Sequence, residues 1–234
     1  MPEEIRLPIW RAADSLALFI DNTLVESGAG AQEVIKSCEE AVREGFHSLC
    51  VNGGWVRLCR ERLSGTNVKV SAVVGFPLGA HATRAKAFEA AAALDDGASE
   101  IDMVLPIGKL KDGDHDAVER DIAAVVQAVQ GGALIKVIME TGLLTDEQKR
   151  LACGIAEAAG ADYVQTSTGF GGAGATEADI KLLRQSLSPT TGVKASGGIR
   201  NAETAIALLK AGANRIGSSS GLAILRSSVE ADPT

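Results

Sequence analysis

Two rhythms of apolar residues alternate along this chain. Short apolar runs at about 18–22, 68–75, 133–141 and 192–196 have the length and composition of buried strands. Four more follow a shared phrase, in REGFHSLCV, DDGASEIDMV, EAAGADYVQT and LKAGANRIGS: an amphipathic segment, a glycine, then an apolar run. Gly45, Gly97, Gly160 and Gly212 stand where a left-handed turn stops a helix. Helical spacing fills the intervals, in AQEVIKSCEEAVRE, TDEQKRLACGIAEAA and NAETAIALLKA among others, with Thr145, Thr176 and Asn201 placed as N-caps. Strand–helix alternation predicts a parallel sheet covered by helices, and eight such units in 234 residues predict a (β/α)8 TIM barrel, one domain spanning 1–234. The rival is an open doubly wound sheet, but no G-x-G-x-x-G follows the first strand. From about residue 227 the chain reads as a frayed tail.

Strands covered on both faces should be continuously apolar, and several here are not. Asp21 interrupts LFIDNT, Asp102 interrupts SEIDMVLP, and Lys136 interrupts ALIKVIMET, with Glu140 expected on the same face; Gln165 and Lys194 do the same in DYVQTSTG and GVKASGG. Alternation along a strand lets their apolar neighbours pack under helices while these polar groups point into the barrel. Opposed charges converging near the C-terminal ends of barrel strands predict a compensated cluster at an active site. The last two strands run into KASGGIR and RIGSSSG, so Gly197, Gly198, Gly217, Ser219 and Ser220 offer N–H groups and hydroxyls to a phosphate.

Bulk properties narrow the partners. A net charge of −7 argues against nucleic acid or an anionic membrane, though not against a phosphorylated metabolite in a locally positive site. No run is long and apolar enough for a membrane span, and MPEEIRLPIW lacks the features of a signal peptide. Cys38, Cys50, Cys59 and Cys153 show no C-x-x-C spacing, which fits a reduced, cytoplasmic chain. His47, His81 and His115 are expected at the surface or at caps, so no metal and no cofactor is called for. Lys86 and Arg200 read mainly as solvated charges, and self-association as a homodimer or larger homo-oligomer is left open.

The blocks CVNGGWV, VVGFPLGAHATRAKAFEA, GASEIDMVLPIGKL, IKVIMETGLLT, GADYVQTSTGF and GVKASGGIR, in this order and spacing, resemble the deoxyribose-phosphate aldolase family over nearly the whole chain. The resemblance implies a class I aldolase joining acetaldehyde to glyceraldehyde 3-phosphate through a lysine Schiff base. It implies a proton relay at Asp102, a second lysine at Lys194, and a phosphate grip formed with Thr168, Gly169, Gly197, Gly198, Ser219 and Ser220. The family's nucleophilic lysine, however, falls on Gln165, in QTSTG. An amide has no basic amine and cannot form an iminium; it can only donate or accept hydrogen bonds. Further departures surround it: Asp21-Asn22 replaces an acidic-His pair, LVESG lacks a lysine, Asn52-Gly53-Gly54-Trp55 replaces an asparagine-proline, and Tyr163 is the sole tyrosine. Together they read as natural divergence.

Three functions follow. In the first, Lys194, or failing that Lys136, replaces the nucleophile, its amine brought toward neutrality by burial and by the other ammonium. In the second, the lysines and Asp102 act as fixed charges and proton carriers in enolisation, dehydration, isomerisation or condensation of a sugar-phosphate-like substrate, without a covalent link. The third is an inactive phosphosugar-binding homologue.

Overall fold

The computed structural model describes residues 7–230. Its strands are β1 (Ile20–Leu24), β2 (Ser48–Asn52), β3 (Lys69–Val74), β4 (Glu100–Val104), β5 (Leu134–Ile138), β6 (Tyr163–Gln165), β7 (Gly192–Ser196) and β8 (Arg215–Ser218). Each pairs in parallel with the next, and β1 pairs with β8 to close the barrel in sequence order. Around it run α1 (Ala31–Glu44), α2 (Val56–Arg62), α3 (Thr83–Asp95), α4 (Ile107–Lys111), α5 (His115–Val129), α6 (Asp146–Ala158), α7 (Glu177–Gln185), α8 (Ala202–Lys210) and α9 (Gly221–Glu230). This is the (β/α)8 architecture that the alternating pattern predicts.

Helix boundaries follow local chemistry. The hydroxyls of Thr145 and Thr176 and the Asn201 carboxamide each accept a backbone N–H bond from the first turn of α6, α7 and α8. Gly45, Gly97, Gly160 and Gly212 all have positive φ, the left-handed turn expected at these stops. Helix α9 occupies positions 227–230, where the sequence suggests fraying. Ser227 Oγ there accepts the Ala202 N–H at 2.8 Å, tying α9 to the start of α8. Positions 231–234 of that expected tail lie outside the described residues.

Alternation along the strands splits the core in two. Ile101, Met103, Ile135, Val137, Val193 and Ala195 face outward and join one continuous apolar cluster with the helices. A small separate cluster of Val25, Cys50 and Val73, with Phe76 against it, lies elsewhere. Lys86 is a correction to its reading as a solvated charge. It is fully buried, with Nζ 2.7 Å from Asp121 and 2.9 Å from the Val104 carbonyl, so it ties α3 to α5. No described helix is long and apolar enough to cross a membrane.

Candidate active site

Strand register brings the predicted charges together. Asp102 is paired with Lys136 across β4 and β5, and Gln165 with Lys194 across β6 and β7. Lys194 Nζ lies 2.6 Å from Asp102 and 2.9 Å from Asp21. Lys136 Nζ lies 2.7 Å from Asp102, 2.5 Å from Glu100 and 3.8 Å from Asp21. Arg215 closes the array, 2.8 Å from Asp21 and 3.3 Å from Glu100, its guanidinium stacked over the Tyr163 ring at 5.6 Å. Asp21, Glu100 and Asp102 thus face Lys136, Lys194 and Arg215, three charges of each sign, all buried. Ser71 Oγ adds a hydrogen bond to Asp102 at 2.9 Å.

Burial favours the neutral form of each group, and the array overrides it. Burial pushes Asp21 and Asp102 up, yet the neighbouring cations win, so both carboxyls titrate below their ordinary range. Burial likewise pushes Lys194 and Lys136 down, but their carboxylate partners outweigh both this and the repulsion between the two ammoniums. Both lysines therefore titrate above the usual lysine value. This corrects the expectation that mutual repulsion would bring one of them toward neutrality: Asp102 and Asp21 lie against both lysines, and Glu100 adds a third carboxylate to Lys136.

Above the array opens a cavity of about 340 Å³. Its floor includes Asp102, Gln165, Lys194, Cys50 and Val73, and Thr168, Gly169, Gly197, Gly198, Gly217, Ser219 and Ser220 also line it. Lys136 and Asp21 are absent from that lining; they stand beneath it, fully buried. Lys136 as a substitute nucleophile is therefore corrected: no cavity-lining atom of it is presented to a substrate. The Cys50 thiol, 3.8 Å from Asp102, is pushed up to about 12 by burial and by that carboxylate, so it stays protonated.

Gln165 is hydrogen-bonded to a serine and not to the charged groups. Its Nε2 donates to Ser196 Oγ at 3.0 Å, and that hydroxyl donates in turn to the Ser167 carbonyl. Ser196 Oγ can therefore only accept from Gln165, which fixes the orientation of the amide. Glu140 also departs from expectation. Strand β5 ends at Ile138, and Glu140 takes a left-handed φ of 54°, so it does not join the charged face. Instead its Oε2 accepts the Thr168 N–H at 3.2 Å and hydroxyl at 2.5 Å, bracing the loop after β6 at the cavity rim.

His47 is a further correction to a surface reading. It is half-buried with Nε2 3.3 Å from Glu100. Asp21, His47 and Glu100 come close enough for one metal ion to span them. Their oxygens are already committed to Lys136, Lys194 and Arg215, and a divalent cation would add positive charge to a balanced array, so the residues do not fit one. Glu100 and Arg215 escaped the sequence reading although a signal existed. Glu100 lies two positions before Asp102, and Arg215 two before Gly217, hence on the same inward faces.

The model of the DeoC/LacD family aldolases matches residues 16–228. The chain belongs to the DeoC/LacD aldolase family. With the family comes the enzyme class, an aldolase-like carbon–carbon lyase. The deoxyribose-phosphate aldolase of Geobacillus sp. (strain WCH70) is 52% identical over 212 residues, which are 91% of this chain and 95% of that protein. Deoxyribose-phosphate aldolase 1 of Bacillus licheniformis is 54% identical over 211 residues, 90% of this chain and 95% of its own. Among solved structures, the tetrameric deoxyribose phosphate aldolase of Aeropyrum pernix superposes with a TM-score of 0.87 at 34% identity, covering 93% of this chain and 92% of its own.

Within this DeoC/LacD barrel Gly217 has a specific steric task. A Cβ added there would stand 2.8 Å from Lys194 Cε and 3.0 Å from Ser196 Cβ. Gly217→Ala is expected to displace the Lys194 ammonium from its carboxylates. It should lower kcat at least tenfold, while overpacking costs about 1–3 kcal/mol of stability. Steady-state kinetics beside a thermal melt would check both.

Proposed function

We infer that the chain is a lyase for a phosphorylated small sugar of the deoxyribose 5-phosphate kind, and that its chemistry passes through an enolate held by the Lys194 ammonium, with no iminium at position 165. The relatives named above support the substrate class. The glycines and hydroxyls of the β7 and β8 loops, which line the cavity beside the N-terminus of α9, provide N–H groups for the phosphate. The observation that carries the mechanism is the state of Lys194. Among the described residues it is the one lysine lining the cavity, and Asp102 and Asp21 hold its amine protonated at 2.6 and 2.9 Å.

An ammonium cannot attack a carbonyl, but it can stabilise an oxyanion. In the cleavage direction, the substrate's aldehyde oxygen sits over Lys194 and its C3 hydroxyl within reach of a base. Asp102, ionised at neutral pH, accepts that hydroxyl proton directly or through water. The C2–C3 bond then breaks, its electron pair moves into C1–C2, and the C1 oxygen takes the negative charge against Lys194. The proton held by Asp102, passed to C2 directly or through water, completes a two-carbon aldehyde beside a phosphorylated three-carbon aldehyde and restores the carboxylate. Lys136, Glu100 and Arg215 touch no substrate; they fix the positions of Asp102 and Asp21.

A second reading, an iminium on Lys194 itself, is favoured by one observation: this amine lies on the strand next to Gln165 and lines the same cavity. pH dependence separates the two. Lys194 titrates above the ordinary lysine value, so an ammonium electrophile keeps its proton through neutral and mildly alkaline pH. A nucleophilic amine would instead gain population with every step of pH toward that value. The test is exchange of solvent deuterium into the acetaldehyde methyl group, and deoxyribose 5-phosphate cleavage, from about pH 6 to 10. The enolate reading expects both reactions, flat over that range and lost in Asp102→Asn. A rate climbing about tenfold per pH unit would favour the Lys194 iminium, and neither reaction occurring would overturn both.

A further inference from the structure

The loop after β6, residues 166–176, is tied down by a side chain that lines no part of the cavity. Glu140 is 3% exposed, and its φ of 54° puts a glutamate in the left-handed region that side chains other than glycine rarely adopt. Such a conformation persists only where its surroundings hold it, and residues of this kind gather at functional sites. Here the carboxylate supplies the hold. Oε2 accepts both the N–H and the hydroxyl of Thr168, at 3.2 and 2.5 Å, and the Thr168 hydroxyl oxygen accepts the Phe170 N–H at 3.0 Å. Oε1 is buried and accepts no hydrogen bond among the described residues. A buried oxygen left without a donor is costly to a fold, so stability alone does not account for Glu140.

These bonds single out one donor. The Thr168 and Phe170 N–H groups are committed, whereas the Gly169 N–H between them makes no hydrogen bond among the described residues. Gly169 lines the cavity, with Thr168 and Phe170 on either side of it. Pinning both neighbours fixes the peptide unit that carries the free N–H, and a carboxylate acceptor pins more strongly than a neutral one. Gly171 makes room for this brace: a Cβ there would stand 2.7 Å from Glu140 Cδ and 2.8 Å from Oε1. Further on, the Ala175 N–H donates to the Gly197 carbonyl at 3.1 Å, joining this loop to the one after β7.

We propose that Glu140 is a positioning residue for phosphate recognition: through Thr168 it turns the free Gly169 N–H toward the phosphate of the bound sugar, alongside the donors of the β7 and β8 loops. The inference rests on the phosphosugar reading above and adds to it an acid, outside the cavity, on which phosphate affinity depends. Glu140 itself touches no substrate. Its loss frees the Thr168–Gly169 peptide, so the phosphate keeps its other donors and loses one. The cost falls on binding of phosphorylated ligands and spares the reacting carbons, which lie over Lys194 and Asp102.

Titration calorimetry of the full chain with inorganic phosphate tests this. Cleavage kinetics with deoxyribose 5-phosphate beside unphosphorylated 2-deoxyribose complete the test, and thermal melts verify folding. Glu140→Gln keeps the shape and removes the charge. It should weaken phosphate binding about tenfold and raise KM for the phosphorylated sugar by a similar factor, with kcat within about twofold of wild type. Its kcat/KM for 2-deoxyribose should stay at the wild-type value. Gly171→Ala lies outside the cavity and displaces the Glu140 carboxyl, so it should show the same split. It also carries the test should Glu140→Gln fail to fold. A folded variant that binds phosphate like the wild type overturns the proposal. So does an equal loss on both sugars, the mark of a merely structural brace. A wild type without measurable affinity for phosphate overturns it together with the phosphosugar reading. A wild type that cleaves neither sugar, with the phosphate shift intact, would overturn the cleavage reading and leave the role of Glu140 standing.

Discussion

Replacing Gln165 with lysine should raise deoxyribose 5-phosphate cleavage by about a thousandfold or more, and should make the enzyme trappable at position 165. The new amine would enter a buried site beside the Lys194 ammonium, at the paired position on the neighbouring strand. Burial and that like charge both favour its neutral form, so its folded pKa falls below the ordinary lysine value. A neutral amine condenses with the substrate aldehyde. The resulting iminium withdraws electrons from C2 far more strongly than a carbonyl hydrogen-bonded to an ammonium. Three orders of magnitude correspond to about 4 kcal/mol of barrier, a modest demand on a covalent electron sink. The phosphate loops, Asp102 and Lys194 need no change. Rates of aldehyde release, measured beside the wild type, check the gain. An unimproved Gln165→Lys variant that still folds would show that other departures at the cavity, such as Val25 and Glu26 in the phrase LVESG, have closed the site to this chemistry.

Lys136→Met should unfold or severely weaken the barrel, by about 3–5 kcal/mol at neutral pH. Methionine fills similar volume, so the loss is electrostatic. Glu100 and Asp102 would lose a partner at 2.5 and 2.7 Å while remaining buried. In the wild type these carboxyls titrate below their ordinary values of about 4. Their contribution to stability is therefore present above that value and is lost as pH falls through the lower folded value. Without Lys136 the folded pKa values rise, so the variant's deficit is greatest at neutral pH and narrows below about pH 4, where protonated carboxyls need no cation. Urea denaturation at two pH values measures this. A neutral substitution would mean that the array contributes nothing to the fold.

Much of this molecule is legible in one dimension because a barrel repeats a local code. Glycines at 45, 97, 160 and 212 mark the stops of α1, α3, α6 and α8, and inward polar residues break otherwise apolar strands. The same alternation would have exposed Glu100 and Arg215, since each lies two residues from a position already assigned inward. What alternation cannot supply is the number of opposite charges that reach a given group. Lys136 and Lys194 look like mutually repelling amines when taken alone. Asp21 of β1 and Asp102 of β4, distant in sequence, reverse the sign of both shifts, with Glu100 of β4 adding to that of Lys136. Glu140 shows a different limit: whether β5 continues past Ile138 depends on a left-handed residue that no glycine or asparagine announces.

The same ion pairs that lock the two lysines decide the chemistry. Borohydride reduction of the wild-type enzyme during turnover, followed by peptide mass mapping, tests that link most directly. The expected result is product formation with no reduced adduct on any lysine, while the Gln165→Lys variant gains one at position 165. A stoichiometric adduct on Lys194 of the wild type would contradict it, because an amine held as an ammonium by Asp102 and Asp21 has no electron pair to give.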